Sequence, residues 1–387
     1  AMPYESLGIR RVINAEGTKT YLGGSIMPSE VLEAMHQAAG WFVELPELHR
    51  GAGERIAALI GSPQIEDAAI VCGAAAGLAI ATAACLAGTD PKKIRALPHL
   101  DWPDAKDQVV IPKTHVTGFA QSYRLAGPRL VEIGGAEGPT PQEVADAISE
   151  RTVAVTLCGG ELPGNVRFPS RASLAEIVQI AHARGVPVIV DAAAELPPPE
   201  NLRRFNELGA DLVVFSGGKG LCGPQASGLV LGKADLIEAC RQNNNPNSSI
   251  GRPMKVGKEE IAGLLKAVDL YVNRDHAADL RRWDEDARTV LDALKGLEGV
   301  VTERVLARTI PQAKITVDAD RAGVTAAAIA TSLRKGEPSI FLTQSGDTLT
   351  VNPHNLQPGE SESIATRLRS LLQAQARRGN FVGSASA

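Results

Sequence analysis

The sequence predicts an α/β protein: a large unit built on a mostly parallel sheet of about seven strands, followed by a smaller α+β unit. Three observations predict it. At 387 residues the chain exceeds one ordinary small domain. From about residue 50 to 235, short β-branched runs alternate with helical patterns, as strands and crossover helices do. After Lys258-Glu259-Glu260 that alternation gives way to a long amphipathic run.

The elements follow in order. Residues 69–72 read as a strand before an Ala-rich helix, with further strands at 108–111 and 130–133. Thr140-Pro141 opens a helix, because proline suits the first helical position, and 153–157 is the next strand. Ser173 and Glu176 have capping-box spacing ahead of the period Leu174, Ile177, Ile180, Ala181, which should stop at Gly185 because Pro187 blocks its resumption. Residues 186–190 are apolar throughout, a strand covered on both faces and closed by Asp191. A helix over 200–208, stopped by Gly209, leads to a strand at 212–215 and completes a βαβ crossover. Beyond it, one amphipathic helix runs through Ile261, Leu264, Leu265, Val268 and Leu270 to Leu297, then strands near 300, 314 and 348 and a last helix from about Gly359. The expected organisation is an N-terminal segment, 1–45, that joins the smaller unit and the site; a large domain, 46–258; a small domain, 259–376; and a loose Gly/Ser/Ala-rich tail, 377–387.

Composition excludes some roles. Forty basic against 44 acidic residues, net −4, lack the surplus that phosphate-backbone binding needs, so no nucleic-acid partner is expected. Five cysteines, widely spaced with no C-x-x-C pair, predict reduced thiols, no metal site and a cytoplasmic location. No run of about 18 apolar residues predicts a membrane span, and the first residues carry no leader pattern.

In open α/β sheets ligands bind beyond the carboxyl ends of the strands, so the residues just after each predicted strand are the informative ones. Gly73 leads through Ala74, Ala75, Ala76 and Gly77 into a helix whose free N–H groups favour a phosphate. His115 follows another strand and can lie on an aromatic ring or donate to a substrate. Asp191 places a carboxylate at the sheet edge. Lys219 follows Phe215-Ser216-Gly217-Gly218, where two glycines let the chain turn back over the strand ends, and Ser216 adds a hydroxyl for the same phosphate. Each has a structural alternative: tight packing for the glycine turn, a structural histidine, a cap for Asp191, a solvated lysine, local turn formation for Ser216. Together they supply what pyridoxal 5′-phosphate (PLP) requires, namely a phosphate cup, a ring-stacking group, an anion beside the pyridine nitrogen and a lysine. A dinucleotide site at residue 73 is disfavoured, because G-x-G-x-x-G and a following acidic residue are missing.

The blocks Val190-Asp191-Ala192-Ala193-Ala194-Glu195-Leu196-Pro197-Pro198, Gly209-Ala210-Asp211 to Lys219, Gly223-Pro224-Gln225 and Gly251-Arg252-Pro253-Met254-Lys255-Val256-Gly257-Lys258 resemble the selenocysteine-synthase-like (SelA-like) PLP proteins, especially their D-glucosaminate-6-phosphate ammonia-lyase branch. The likeness begins at Val12-Ile13-Asn14-Ala15-Glu16-Gly17-Thr18. It implies PLP fold type I, aspartate-aminotransferase-like, with Lys219 as the Schiff-base lysine, Asp191 against the pyridinium and His115 stacked on the ring. It also implies Gly251 and Arg252 reaching a neighbour's phosphate or the substrate carboxylate, and a homodimer or larger symmetric assembly. After His115 the chain departs from many relatives, with Val116-Thr117-Gly118-Phe119 in place of an Arg and a Tyr-Asp pair. A selenocysteine synthase itself is disfavoured by the acidic balance. The implied reaction is a PLP-dependent lyase step at Cα and Cβ of a small hydroxy-amino acid or amino-sugar acid, releasing ammonia and a 2-keto acid. A racemase or epimerase stays open beside it, with His115 or Cys222 as the second acid/base, and so do aldol cleavage, amino transfer and a catalytically silent PLP fold.

Overall fold

A computed structural model of the chain describes residues 4–159 and 168–382, with side-chain burial described as far as residue 373. Two compact units result: residues 25–274, and residues 1–24 together with 275–387. In chain order the elements are β1 (Val12–Ala15), α1 (Ser29–Ala39), α2 (Leu45–Ile60), β2 (Asp67–Val71), α3 (Ala74–Ala87), α4 (Pro91–Ala96), β3 (Gln108–Pro112), α5 (Gln121–Arg124), β4 (Arg129–Ile133), α6 (Pro141–Ala147), β5 (Thr152–Cys158), α7 (Leu174–His182) and β6 (Val188–Asp191). They continue with α8 (Asn201–Glu207), β7 (Leu212–Ser216), β8 (Gly228–Gly232), α9 (Ala234–Gln242), α10 (Lys258–Val272), α11 (His276–Leu294), β9 (Val300–Ala307), β10 (Ile310–Val317), α12 (Ala319–Ala322), α13 (Ala326–Lys335), β11 (Ser339–Ser345), β12 (Thr348–Val351) and α14 (Glu360–Val382).

The larger unit holds a seven-stranded sheet in the order β2-β8-β7-β6-β5-β3-β4. Strands β7, β6, β5, β3 and β4 are parallel, and β8 runs antiparallel between β7 and β2. Helices cover both faces, so the central strands are buried nearly end to end and read as continuous apolar runs. Alternate residues enter separate cores: Ile70, Val110, Val155, Val190, Val213 and Leu229 share one with residues of α2, α7 and α10, while Val71, Val109, Ile189, Val214 and Val230 share the other with α3 and α9. Helix α3 is buried on nearly every side, which is why it is built from alanine with no polar stripe. Both predicted N-caps are present as full capping boxes, Thr140 with Glu143 and Ser173 with Glu176.

Three sequence readings are corrected. The amphipathic run to Leu297 is two helices, because the Asp275 side chain accepts the Ala278 N–H and starts α11 afresh after Asn273 ends α10. Strand β8 follows the lysine turn as a short Gly-bracketed apolar run that the sequence pattern did not separate from that turn. Helix α14 is described as far as Val382, past Arg377 where looseness was expected; residues 383–387 lie outside the described residues. Within the larger unit α1 packs on α10 and α10 on α2; a Cβ on Gly263 would stand 2.7 Å from Met35 Cγ.

Asp211, at the start of β7, ties the amino ends of the parallel strands together. Its buried carboxylate accepts the Val188 N–H at 2.7 Å, meets His182 Nε2 at 2.8 Å and pairs with Lys233 Nζ at 2.7 Å. At the sheet's outer edge, side chains take the place of a further strand: Arg241 donates to the Ala68 carbonyl at 3.0 Å and Asn244 to that of Ile70 at 2.8 Å.

The smaller unit is a five-stranded sheet, β1-β11-β12-β10-β9. β1 lies parallel to β11, and the other pairs are antiparallel. One face packs against α11, α13 and α14 through Val290, Ile315, Ile329, Ile340, Leu349 and Leu368. Among the described residues no helix is long and apolar enough to cross a membrane.

Candidate active site

Four strand ends of the larger unit carry the groups that matter. β7 ends at Ser216 and the chain turns through Gly217 to Leu221, bringing Lys219 back in a half-buried position. Backbone bonds fix that turn: Gly217 donates to Ser227 at 2.9 Å, Gly223 to Gly217 at 2.8 Å and Cys222 to Lys219 at 2.9 Å. Glycine is required here by closeness, since a Cβ on Gly218 would sit 2.5 Å from Gln225 Cα.

The cup lies at the same corner. Ser216 pairs with Gly228 and Gly228 with Val71, so the start of α3 is about two strand spacings, roughly 10 Å, from Ser216. The fit is tight: a Cβ on Gly228 would stand 2.6 Å from the Gly73 carbonyl carbon. Gly73 caps α3 without a side-chain bond, which leaves the N–H groups of Ala74, Ala75 and Ala76 without an intrahelical partner. Gly77 has a different part. Its N–H goes to the Gly73 carbonyl at 2.9 Å, and it allows α3 to pack against Val214 and Val230.

Asp191 is the last residue of β6, in register with Cys158 on one side and Val214 on the other. Its Oδ1 accepts the Ala193 N–H at 3.0 Å. Tyr123, which sequence reasoning missed, is buried: burial, reinforced by the Asp191 charge and opposed by Thr156, pushes this phenol well above its ordinary value. The only signal was an aromatic in the polar stretch after His115. Glu195, also missed, is buried one turn beyond Asp191, where its chain meets Gly159 and its carbonyl accepts from Asn201 at 2.8 Å.

His115 closes the turn after β3 and is 1 % exposed. The Cys158 N–H donates to its Nδ1 at 3.0 Å, so the neutral ring carries its proton on Nε2, which has no hydrogen-bond partner among the described residues. Burial pushes this imidazole down to about 4, opposed by the backbone of Phe168 and Pro169. The Phe168 ring lies 5.5 Å away, tilted by 55°. His115 is thus a neutral donor, one strand from Asp191 through Cys158.

His49, in α2, behaves alike: burial, then the Arg241 charge, pushes it down to about 4. Unfolded histidine titrates near 6.5. Between roughly pH 6.5 and 4 the unfolded chain takes up protons that the folded chain refuses, so stability falls as the pH falls through that window. His49→Leu is expected to gain about 2 kcal/mol on the wild type between pH 7 and pH 5; denaturant melts showing the same difference at both pH values contradict this.

Structure brings Ala74–Ala76, Ser216, Lys219, Asp191 and His115 to one edge of one sheet. Gly251 and Arg252 lie elsewhere, beyond edge strand β2. Gly251 bridges Asn244 and spends its N–H on the Asn243 carbonyl at 3.0 Å, and Arg252 is exposed. In the smaller unit Asn352 Oδ1 accepts the His354 N–H at 3.0 Å, and the His354 ring meets Trp283 edge-on at 4.9 Å.

These residues fit PLP. The cup offers N–H donors to a dianion, Asp191 offers a carboxylate to the ring nitrogen, and a half-buried lysine stands between them. Comparisons agree. A family model described as SelA, L-seryl-tRNA selenium transferase, matches residues 121–282. The chain is 39% identical over 383 residues to the 5′-C-glycyluridine monooxygenase-decarboxylase of a Streptomyces species, covering 96% of this chain and 92% of that one. It is 31% identical over 377 residues to D-glucosaminate-6-phosphate ammonia lyase of Salmonella typhimurium, covering 96% and 98%. A solved structure of D-glucosaminate-6-phosphate ammonia-lyase superposes with a TM-score of 0.83 at 30% identity, over 97% of this chain and all of that one. The chain belongs to the selenocysteine-synthase-like (SelA-like) family of PLP-dependent fold-type I enzymes.

Proposed function

We propose that the protein is a PLP-dependent lyase that removes ammonia from a small hydroxy-amino acid or amino-sugar acid, leaving a 2-keto acid. The observation that carries this is the row of Lys219, Asp191 and neutral His115 along the carboxyl edge of a sheet whose chain follows the ammonia-lyase structure nearly end to end. When bound, PLP supplies a sink for the electrons released at Cα.

The chain's residues do the rest. The N–H groups of Ala74–Ala76 and the Ser216 hydroxyl would hold the phosphate, and the Asp191 carboxylate would keep a proton on the ring nitrogen. With PLP bound, the Lys219 amine would serve as the general base that takes the Cα proton. Lys219 would return that proton to the departing hydroxyl as the Cβ–O bond breaks, so that one water leaves, and a second water hydrolyses the C–N bond to give keto acid and ammonia with no net oxidation. Nε2 of His115 donates to substrate or ring oxygen and, being neutral, adds no charge. Arg252 is available to an anion on a neighbouring subunit in a homodimer or larger assembly. Five cysteines, none in a disulfide among the described residues, support a reducing, cytoplasmic setting.

A second reading is favoured by the 39% identity to a monooxygenase-decarboxylase: oxidative loss of the Cα carboxylate from a glycyl-nucleoside, with dioxygen as oxidant. One assay separates them. D-glucosaminate, its 6-phosphate, serine and threonine are expected to release ammonia and keto acid in equal amounts without oxygen. Turnover only on 5′-C-glycyluridine, with oxygen uptake and carbon dioxide release, overturns the lyase reading; isomerised amino acid without ammonia points to a racemase.

A further inference from the structure

Both peptide groups flanking Lys219 are pinned, by different means. Its own carbonyl accepts the Cys222 N–H at 2.9 Å, a backbone bond within the turn. The preceding carbonyl, of Gly218, accepts the Ser25 hydroxyl at 3.0 Å. Ser25 is 193 positions away in sequence and half-buried, where the chain leaves Gly23 and Gly24, whose φ values are +92° and +77°. Gly218 is flexible by nature and sets the peptide plane that begins Lys219, so the orientation of the lysine's Cα depends on what holds that carbonyl.

We propose that Ser25 is a positioning residue for Lys219, acting through the Gly218 carbonyl. This rests on the reading of Lys219 as the cofactor lysine. Without the hydroxyl the Gly218 carbonyl loses its partner and the lysine samples more than one direction, so fewer approaches to the cofactor aldehyde are productive.

The test uses purified full-length protein: wild type, Ser25→Ala, Ser25→Thr and, as control, Lys219→Ala. Two quantities are read besides turnover: the rate at which PLP added to cofactor-stripped protein generates the Lys219-dependent band near roughly 410 to 430 nm, and the pH midpoint of that band. Ser25→Ala is expected to slow band formation about tenfold, the rate equivalent of one hydrogen bond, and to move the midpoint by about half a pH unit. Its melting temperature should stay within a few degrees of wild type, and Ser25→Thr should restore both readouts. Wild-type rate and midpoint in Ser25→Ala overturn the proposal, and so does an equal loss in Ser25→Thr that tracks melting temperature. If Ser25→Ala is not recovered folded, Ser25→Cys, nearly the same size with a weak donor, is read by the same criteria. A band that survives in Lys219→Ala removes the cofactor-lysine reading, and this proposal with it.

Discussion

Replacing Lys219 by alanine is expected to lower turnover by about 10⁴-fold or more while leaving a folded protein that still binds PLP. The two roles proposed for it would vanish together, the covalent hold on the cofactor and the base at Cα, and loss of a positioned general base alone costs up to roughly 10⁴. Folding should survive, because Lys219 is half-buried and its turn is held by the backbone bonds of Gly217, Cys222 and Gly223. Binding should survive, because the cup at Ala74–Ala76 and the carboxylate of Asp191 are independent of the lysine. A small amine such as methylamine should restore part of the activity by occupying the vacated space. Turnover within tenfold of wild type contradicts the role given to Lys219.

The second large effect is on stability. Asp211→Ala is expected to cost about 3 kcal/mol. The pairs with His182 and Lys233 contribute little of this, because those side chains are 38% and 49% exposed and screened by solvent. Most of the loss comes from the Val188 N–H, which is buried, forgoes a charge-assisted bond of 2.7 Å and gains nothing in return. For a unit of this size the melting temperature should fall by roughly 6 to 12 °C. Asp211→Asn keeps an oxygen for Val188 and should lose less than half as much. A shift under about 2 °C in Asp211→Ala shows that the site re-forms its hydrogen bonds by other means.

Much of the site was legible because of where parallel sheets place chemistry. A strand covered on both faces is an apolar run, so the first polar group after it stands out; Asp191, Lys219, His115 and the glycine turn were singled out by that rule, and the structure places them on one edge of the sheet. Pairing across long sequence separations was not legible. β1 finds β11 near the other end of the chain, and nothing local in Val12–Ala15 announces it. The bonds made by Ser25 and Asp211 were not legible for the same reason: their partners, Gly218 and Val188, are not neighbours in sequence, and nothing local names them. Gly77 reads as part of a phosphate cup, yet its lack of a side chain is used against Val214.

The most direct test of the central claim is to reduce the PLP-loaded protein with borohydride, which locks the cofactor onto the residue carrying it, and to map the labelled peptide by mass spectrometry. Label on the peptide containing Phe215-Ser216-Gly217-Gly218-Lys219 is the predicted result. Label on another lysine, such as Lys113 or Lys255, or no label at all, contradicts it.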